Sequence, residues 1–388
     1  MRILHTSDWH VGRRLGRFDR TAEHLEAVER VAAVAEAEQA DLVLHSGDLF
    51  DRAMPPVEAL RLALEGLVRL AGGGRRPVVV VAGNHDSPEL FEALAPFLAA
   101  FGIHLVGRIK PPAQGGVLRL ETAGGPAVVA CFPFLRAVQT VDFMERAQTW
   151  YGSYAERVRR LAAAYAEAVS AVRGADGVGL LVAHFLVSGA AVHTGLPRGE
   201  RELHMGEAYA ADPQALPPGF DYVALGHVHA PQAVPGVTVP AQYAGSLLPL
   251  DFGEAGEEKR VVLVEARPGV PAVVRSVPLG AGRRLERLEG PWEEIAARPG
   301  LDDAYLDLVV DTAGPEPGLL DRARERFPLV VKVAARYRRA EVTAPVVAGR
   351  PFADLYADYH RQAHGEDAGP EVLAAFREVE EEVCVAAD

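Results

Sequence analysis

The sequence predicts an α/β fold over residues 1–266, followed by a small α+β domain and a helical tail, and three observations carry this. Short Val- and Leu-rich runs alternate with helical patterns, each run ends in a turn containing Gly, Asp or His, and the alternation changes character past residue 266. The strand candidates are Arg2 to His5, Asp41 to His45, Val78 to Ala82, Val128 to Phe132, Gly179 to Ala183 and Tyr222 to Leu225. Between them, Glu23 to Gln39, Val57 to Leu70 and Ala155 to Val172 repeat apolar residues at helical spacing. Tyr243 to Leu250 and Arg260 to Glu265 are expected as closing strands.

A Pro/Gly-rich segment, Arg267 to Pro271, ends the first pattern. Arg283 to Tyr337 then reads as strand, helix, strand, helix, strand, which predicts a second domain over residues 275–345. Residues 350–388 hold two amphipathic helices, Phe352 to His364 and Pro370 to Val385, parted by the breaker-rich Gly365 to Gly369. So short a helical pair cannot bury its own apolar face, so it is expected to dock on something.

A chain of 388 residues exceeds most single cores, and its 49% hydrophobic and 24% charged residues exclude extensive disorder. Cys131 and Cys384 stand far apart with no Cys or His neighbour at zinc spacing, which excludes a disulfide framework and a structural zinc site and fits a reducing cytoplasm. No signal-peptide pattern is visible, and no apolar run nears the ~20 residues that a membrane span needs. The net charge of -13 opposes a nucleic-acid ligand only in sum. Arg13, Arg14, Arg17 and Arg20 cluster after the first motif, and bound cations would add positive charge.

Five segments share one layout, an apolar strand followed at once by a polar turn with metal-ligand residue types. They are Ser7-Asp8-Trp9-His10, Gly47-Asp48-Leu49-Phe50-Asp51, Gly83-Asn84-His85-Asp86, Ala183-His184-Phe185 and Gly226-His227-Val228-His229. In open α/β sheets the carboxyl ends of the strands line one crevice, so distant turns can converge there. Asp8 with His10, and His227 with His229, have the alternate spacing that points both side chains to one side of an extended segment. Carboxylate, imidazole and amide oxygen together suit Mn²⁺ or a similar ion better than Ca²⁺ or structural Zn²⁺. Two ions ~3.5 to 4 Å apart can clamp the attacking and leaving oxygens of a phosphoryl displacement. A short Asp is the natural bridge between them, and Asp48 is the candidate.

The series DWHVG, GDLFD, GNHD, a lone His after a strand, and GHVH resembles the calcineurin-like metallophosphoesterases, over the first ~230 residues and in family order. More narrowly it resembles the nuclease subunits of bacterial DNA break-repair complexes. The resemblance implies a β-sandwich flanked by helices. It also implies a first metal held by Asp8, His10, Asp48 and His229, and a second held by Asp48, Asn84, His184 and His227. His85 would stabilise the transition state or protonate the leaving 3′ oxygen as the DNA phosphorus is attacked. The implied cofactors are two divalent ions, most naturally Mn²⁺. The implied activities are 3′ to 5′ exonuclease on duplexes and endonuclease on single strands or hairpins. The implied partners are DNA, an ATPase subunit whose coiled-coil base receives the C-terminal helices, and a second copy of the chain within a heterotetramer. Asp51 or Asp86 could orient His85. Some relatives carry His where this chain has Asp51, so that His's role does not transfer.

Plainer readings compete at each position. Turn chemistry alone explains Asp48 or Asn84 singly, and a lone His184 is more often a satisfied histidine. Neither explains three histidines and two spaced pairs at consecutive strand ends. His5, His24, His45, His104, His193, His204, His360 and His364 lack such placement and read as structural or surface groups. Leu60, Leu64, Leu67, Leu90, Leu94 and Leu98 form helical stripes that are core by default or, by resemblance, a homodimer seam. A small-molecule phosphodiesterase or phosphatase would need neither cap nor tail, and a non-catalytic DNA-tethering subunit would not need a complete ligand set.

Overall fold

The computed structural model describes residues 1–136, 154–191, 210–337 and 351–385. His193 and His204, and residues 338–345 of the expected second domain, lie outside them. The chain forms two compact units, one from Met1–Thr312 with Glu316–Arg336, the other built on Tyr337–Asp388.

Two six-stranded sheets dominate the first unit. In spatial order the first runs Val270–Pro278, Arg260–Arg267, Arg2–Thr6, Leu42–His45, Val78–Val81 and Ile103–Val106. Its last four strands are mutually parallel, while Arg260–Arg267 is antiparallel to Arg2–Thr6. The second runs Gln232–Ala233, Ala241–Tyr243, Tyr222–Gly226, Val178–His184, Gly125–Phe132 and Val117–Thr122, parallel at its centre.

The sheets pack face to face. Ile3, Leu42, Leu44, Val79 and Val81 from the first meet Val129, Cys131, Leu180, Val182 and Ala224 from the second. Alternate residues of the same strands, Leu4, Val43, Val78 and Val80, face outward onto helices Thr21–Ala37, Val57–Ala71 and Pro88–Leu98. Helix Tyr154–Val172 covers the second sheet through Val158, Leu161 and Tyr165. Both faces of each central strand are therefore buried, which is why these strands read as unbroken apolar runs rather than alternating ones. The β-sandwich flanked by helices is the fold expected. Burial also pushes the Cys131 thiol up to about 12, so it is an inert core residue.

The ends of the pattern differ from expectation. Of Tyr243 to Leu250 only Tyr243 lies in a strand, Ala241–Tyr243; the remainder is irregular and buried, with Ser246 and Leu250 tied to Glu254. Arg267 to Pro271 is a tight hairpin rather than a linker: Gly269 has φ 70° and Arg267 pairs with Val270. The hairpin adds strand Val270–Pro278 to the first sheet, beyond residue 266.

Leu285–Pro291, Tyr305–Asp311 and Val330–Arg336 form a separate parallel sheet with helices Trp292–Ala297 and Leu319–Arg326, the alternation expected between Arg283 and Tyr337. It has its own core of Leu288, Ile295, Leu306, Leu308, Val310 and Phe327. A second apolar cluster, Leu15, Phe252, Leu285 and Tyr305, seats it on the sandwich. In the other unit, helix Phe352–His364 ends at Gly365 in the left-handed conformation, and Tyr356 stacks on Phe376 at 4.3 Å. Phe352, Tyr359 and Val379 stay exposed, as expected of a pair too short to bury its own apolar face.

Candidate metal centre

The eight residues singled out as ligands or catalyst come together at one end of the sandwich. Asp8, His10, Asp48, Asn84 and His85 follow strands Arg2–Thr6, Leu42–His45 and Val78–Val81 of the first sheet. His184, His227 and His229 lie at the ends of Val178–His184 and Tyr222–Gly226 in the second. Strand-end logic alone places them along one crevice; the structure draws them from two sheets, and His227 N–H reaches across to Asp8 Oδ1 at 3.1 Å.

The loops are locked before any ligand is considered. Asp8 N–H donates to Gly47 O at 2.9 Å, and His10 N–H to Asp48 O at 3.0 Å. The Asp86 carboxylate accepts from the N–H groups of Leu49, Phe50 and Gly83, tying the second and third loops together. Asp8, His10, Asp48 and His227 have φ of 48°, 44°, 53° and 95°, a left-handed region that costs non-glycine residues energy. Strain concentrated on four candidate ligands is tolerated because the neighbouring backbone bonds dictate it. The glycines have steric reasons: a Cβ on Gly47 would overlap the His184 ring, and one on Gly83 would overlap the Asp48 carboxylate.

The ligand atoms of Asp8, His10 and His229 lie within 4.8 Å of one another, and so do those of Asp8, Asp48 and His184. Asp48 Oδ2 stands between His10 Nε2 at 3.5 Å and His184 Nε2 at 3.4 Å. Asn84 Oδ1 lies 2.9 Å from both His184 Nε2 and His227 Nδ1. His85 N–H donates to Asp48 Oδ1, and the His85 ring stands edge-on to His10 at 4.8 Å.

The profile of the calcineurin-like phosphoesterases matches residues 1–231. The SbcD component of the SbcCD nuclease of Bacillus subtilis is 34% identical over 79% of this chain and 74% of its own length. The SbcD protein of Rhodobacter capsulatus is 32% identical over 85% of each chain, and that of Escherichia coli K12 is 30% identical over 80% of this chain and 78% of its own. This chain belongs to the calcineurin-like phosphoesterase family. Its relatives place it with the SbcD nuclease subunits.

Calcineurin-like phosphoesterases use divalent metal, and the residues here fit one. His10 is buried, yet neither of its ring nitrogens has a hydrogen-bond partner. Burying such a group without compensation is costly, and a cation is the compensation that the surrounding donors suit. Electrostatics agree. Burial pushes the Asp8 carboxyl up, the mark of an acidic group short of positive charge. Burial opposes charge on Asp48 too, but His184 and His10 hold it well below the usual range. Burial likewise opposes charge on His184, yet Asp48 raises it to about 9. His227 is pushed down to about 3 by burial and by His184. A bound dication would displace the His184 proton, so metal binding and deprotonation are linked.

Two sequence expectations change here. Neither Asp51 nor Asp86 orients His85 through its carboxylate: His85 Nδ1 lies 2.9 Å from the main-chain oxygen of Asp51. Asp86 is committed to its three backbone donors and is pushed up to about 7 by burial and the Asp48 charge. The arginine cluster divides as well. Arg20 is buried against Glu23 and Pro249 O, and Arg13 pairs with Asp51 at 3.2 Å, whereas Arg14 and Arg17 are exposed. His5 and His45 are core residues, His5 bonding Tyr222 Oη and Ser46 Oγ. Sequence reasoning missed Glu254, whose carboxylate is 2.9 Å from His229 Nδ1. Its only local signal is a turn capped by Asp251.

Proposed function

We propose that this chain is a manganese-dependent DNA nuclease subunit that works with an SbcC-type ATPase in DNA break repair and recombination in the cytoplasm. One observation carries the reading: the Asp48 carboxylate stands between His10 and His184, with His229 beside His10, Asn84 and His227 beside His184, and Asp8 grouped with both. Asp8, His10, Asp48 and His229 would hold a first ion, and Asp48, Asn84, His184 and His227 a second. Such ions supply Lewis acidity and a nucleophile at neutral pH. The remaining work falls to the chain. His85 would present Nε2 toward the scissile phosphate; with Nδ1–H donated to the Asp51 carbonyl, it is the imidazolium form whose Nε2 proton stabilises developing charge or passes to the 3′ oxygen, leaving the neutral Nδ1–H ring.

In this reading the domain of residues 275–345 caps the DNA and residues 350–388 dock on the ATPase. The exposed Phe352, Tyr359 and Val379 support such docking. A homodimer within a heterotetramer would form through helices Val57–Ala71 and Pro88–Leu98. Leu60, Leu64, Leu90 and Leu94 are only half-buried there, and Val57 and Phe97 are exposed. The test is degradation of labelled linear duplex DNA by the purified chain with Mn²⁺, alone and with the ATPase. Intact DNA alongside hydrolysis of small phosphodiesters would instead make this a small-molecule phosphodiesterase.

A further inference from the structure

We infer that Glu254 is a positioning residue for the first metal, fixing the tautomer and tilt of the His229 ring so that Nε2 is offered as a bare lone pair. The inference deepens the metal reading above and rests on it. Glu254 sits on the short turn Phe252–Glu254, 25 residues beyond His229, and is almost wholly buried. One oxygen, Oε1, lies 2.9 Å from His229 Nδ1. The other accepts from Lys259 Nζ at 2.6 Å, from Ser246 Oγ at 3.2 Å and from Leu250 N–H at 3.1 Å.

Lys259 also donates to the main-chain oxygen of His229 at 3.1 Å and to Glu257 at 2.6 Å. His229 is thus gripped at both ends, its carbonyl directly by Lys259 and its ring through Glu254. An imidazole with a carboxylate on Nδ1 carries its proton there, and the opposite nitrogen is left to ligate. A buried carboxylate given three donors besides the histidine cannot rotate away, so the constraint is rigid. It also differs in kind from those on two other site histidines: His184 Nδ1 rests on the main-chain oxygen of Ser46, and His85 Nδ1 on that of Asp51.

The experiment titrates Mn²⁺ calorimetrically into the metal-free chain, in wild type, Glu254→Gln and the double variant Glu254→Leu/Lys259→Met, with thermal melts in parallel. Gln keeps the shape but can turn its amide NH₂ toward Nδ1, which moves the ring proton to Nε2. The double variant removes both buried charges together, so neither is left unpaired. Affinity at one of two sites should fall by about 10- to 100-fold in both variants. Long-range ¹H–¹⁵N spectra of histidine-labelled, metal-free protein, recorded at a pH high enough for His229 to have lost its second proton, should show the neutral ring losing its single Nδ1–H tautomer in both variants. Wild-type binding of two ions, with both variants matching its affinities and tautomer, would overturn the inference while sparing the metal reading. A wild-type chain that binds no Mn²⁺ would overturn the metal reading itself.

Discussion

The imidazole of His85 is held by the peptide oxygen of Asp51, 2.9 Å from Nδ1, and not by a carboxylate. A main-chain anchor survives replacement of the side chain. Asp51→Ala should therefore leave His85 in place and cost far less activity than His85→Gln. The latter removes a group of the kind worth about 10²- to 10⁴-fold in proton transfer and should leave Mn²⁺ binding intact. Steady-state cleavage of duplex DNA with parallel Mn²⁺ titrations decides it. Equal damage from the two variants would mean that the Asp51 carboxylate, close to His10 and paired with Arg13, has a chemical role of its own.

Asp48 lies between the two halves of the site, so its loss should affect both. Wild-type protein should melt higher with Mn²⁺, by the equivalent of about 2.7 kcal/mol for one site at a hundredfold excess over Kd, and a chelator should reverse this. Asp48→Ala should show no such shift. A variant that still takes up two ions would refute Asp48 as the shared ligand.

The candidate site is legible in the sequence because each candidate ligand ends or closely follows a strand buried on both faces. Leu42 to His45 and Val78 to Val81 announce themselves as apolar runs, and the polar turn after each stands out against them. Two sheets facing each other were not legible from those runs, since a strand buried by helices and one buried by a second sheet look alike. Glu254 was missed for a related reason. It lies in an irregular stretch held by side-chain bonds to Ser246, Leu250 and Lys259, and such long-range polar contacts leave no periodicity. The arginines after the first motif were ambiguous because sequence does not separate a buried Arg20 from an exposed Arg17.

Three buried histidines outside the candidate metal centre should make the metal-free protein acid-sensitive. Burial lowers His5 to about 3, with His45 adding to it; His24 to about 4, with Arg20 adding; and His45 to about 3, with His184 adding. Each folded value lies below the ordinary 6.5, so the unfolded chain binds the extra protons. Stability from their neutral burial is full above pH ~6.5 and declines as pH falls through the window toward 4, by up to about 1.4 kcal/mol per pH unit for each. Urea melts of metal-free protein from pH 7.5 to 5 should show this decline, and His24→Asn should make it shallower. An identical slope in the variant would exclude His24 as a contributor.

One buried carboxylate links the three-stranded sheet to the sandwich. Glu23 accepts from Arg20 at 2.9 Å, from Tyr305 Oη at 2.7 Å and from Arg283 N–H at 3.0 Å, and so joins the first helix to the three-stranded sheet. Burial opposes its charge, but Arg20 and Tyr305 outweigh this and hold the carboxyl below its usual range. Glu23→Ala would leave the Arg20 guanidinium buried without its counter-charge, a change that costs about 3 to 5 kcal/mol. Thermal melts should drop accordingly, and limited proteolysis should cut within residues 283–336 before it cuts the sandwich. Tyr305→Phe removes only one neutral donor and should be milder. If both variants melt and digest like wild type, then the apolar cluster of Leu15, Phe252, Leu285 and Tyr305, which also joins the two, holds the domain without help from the carboxylate.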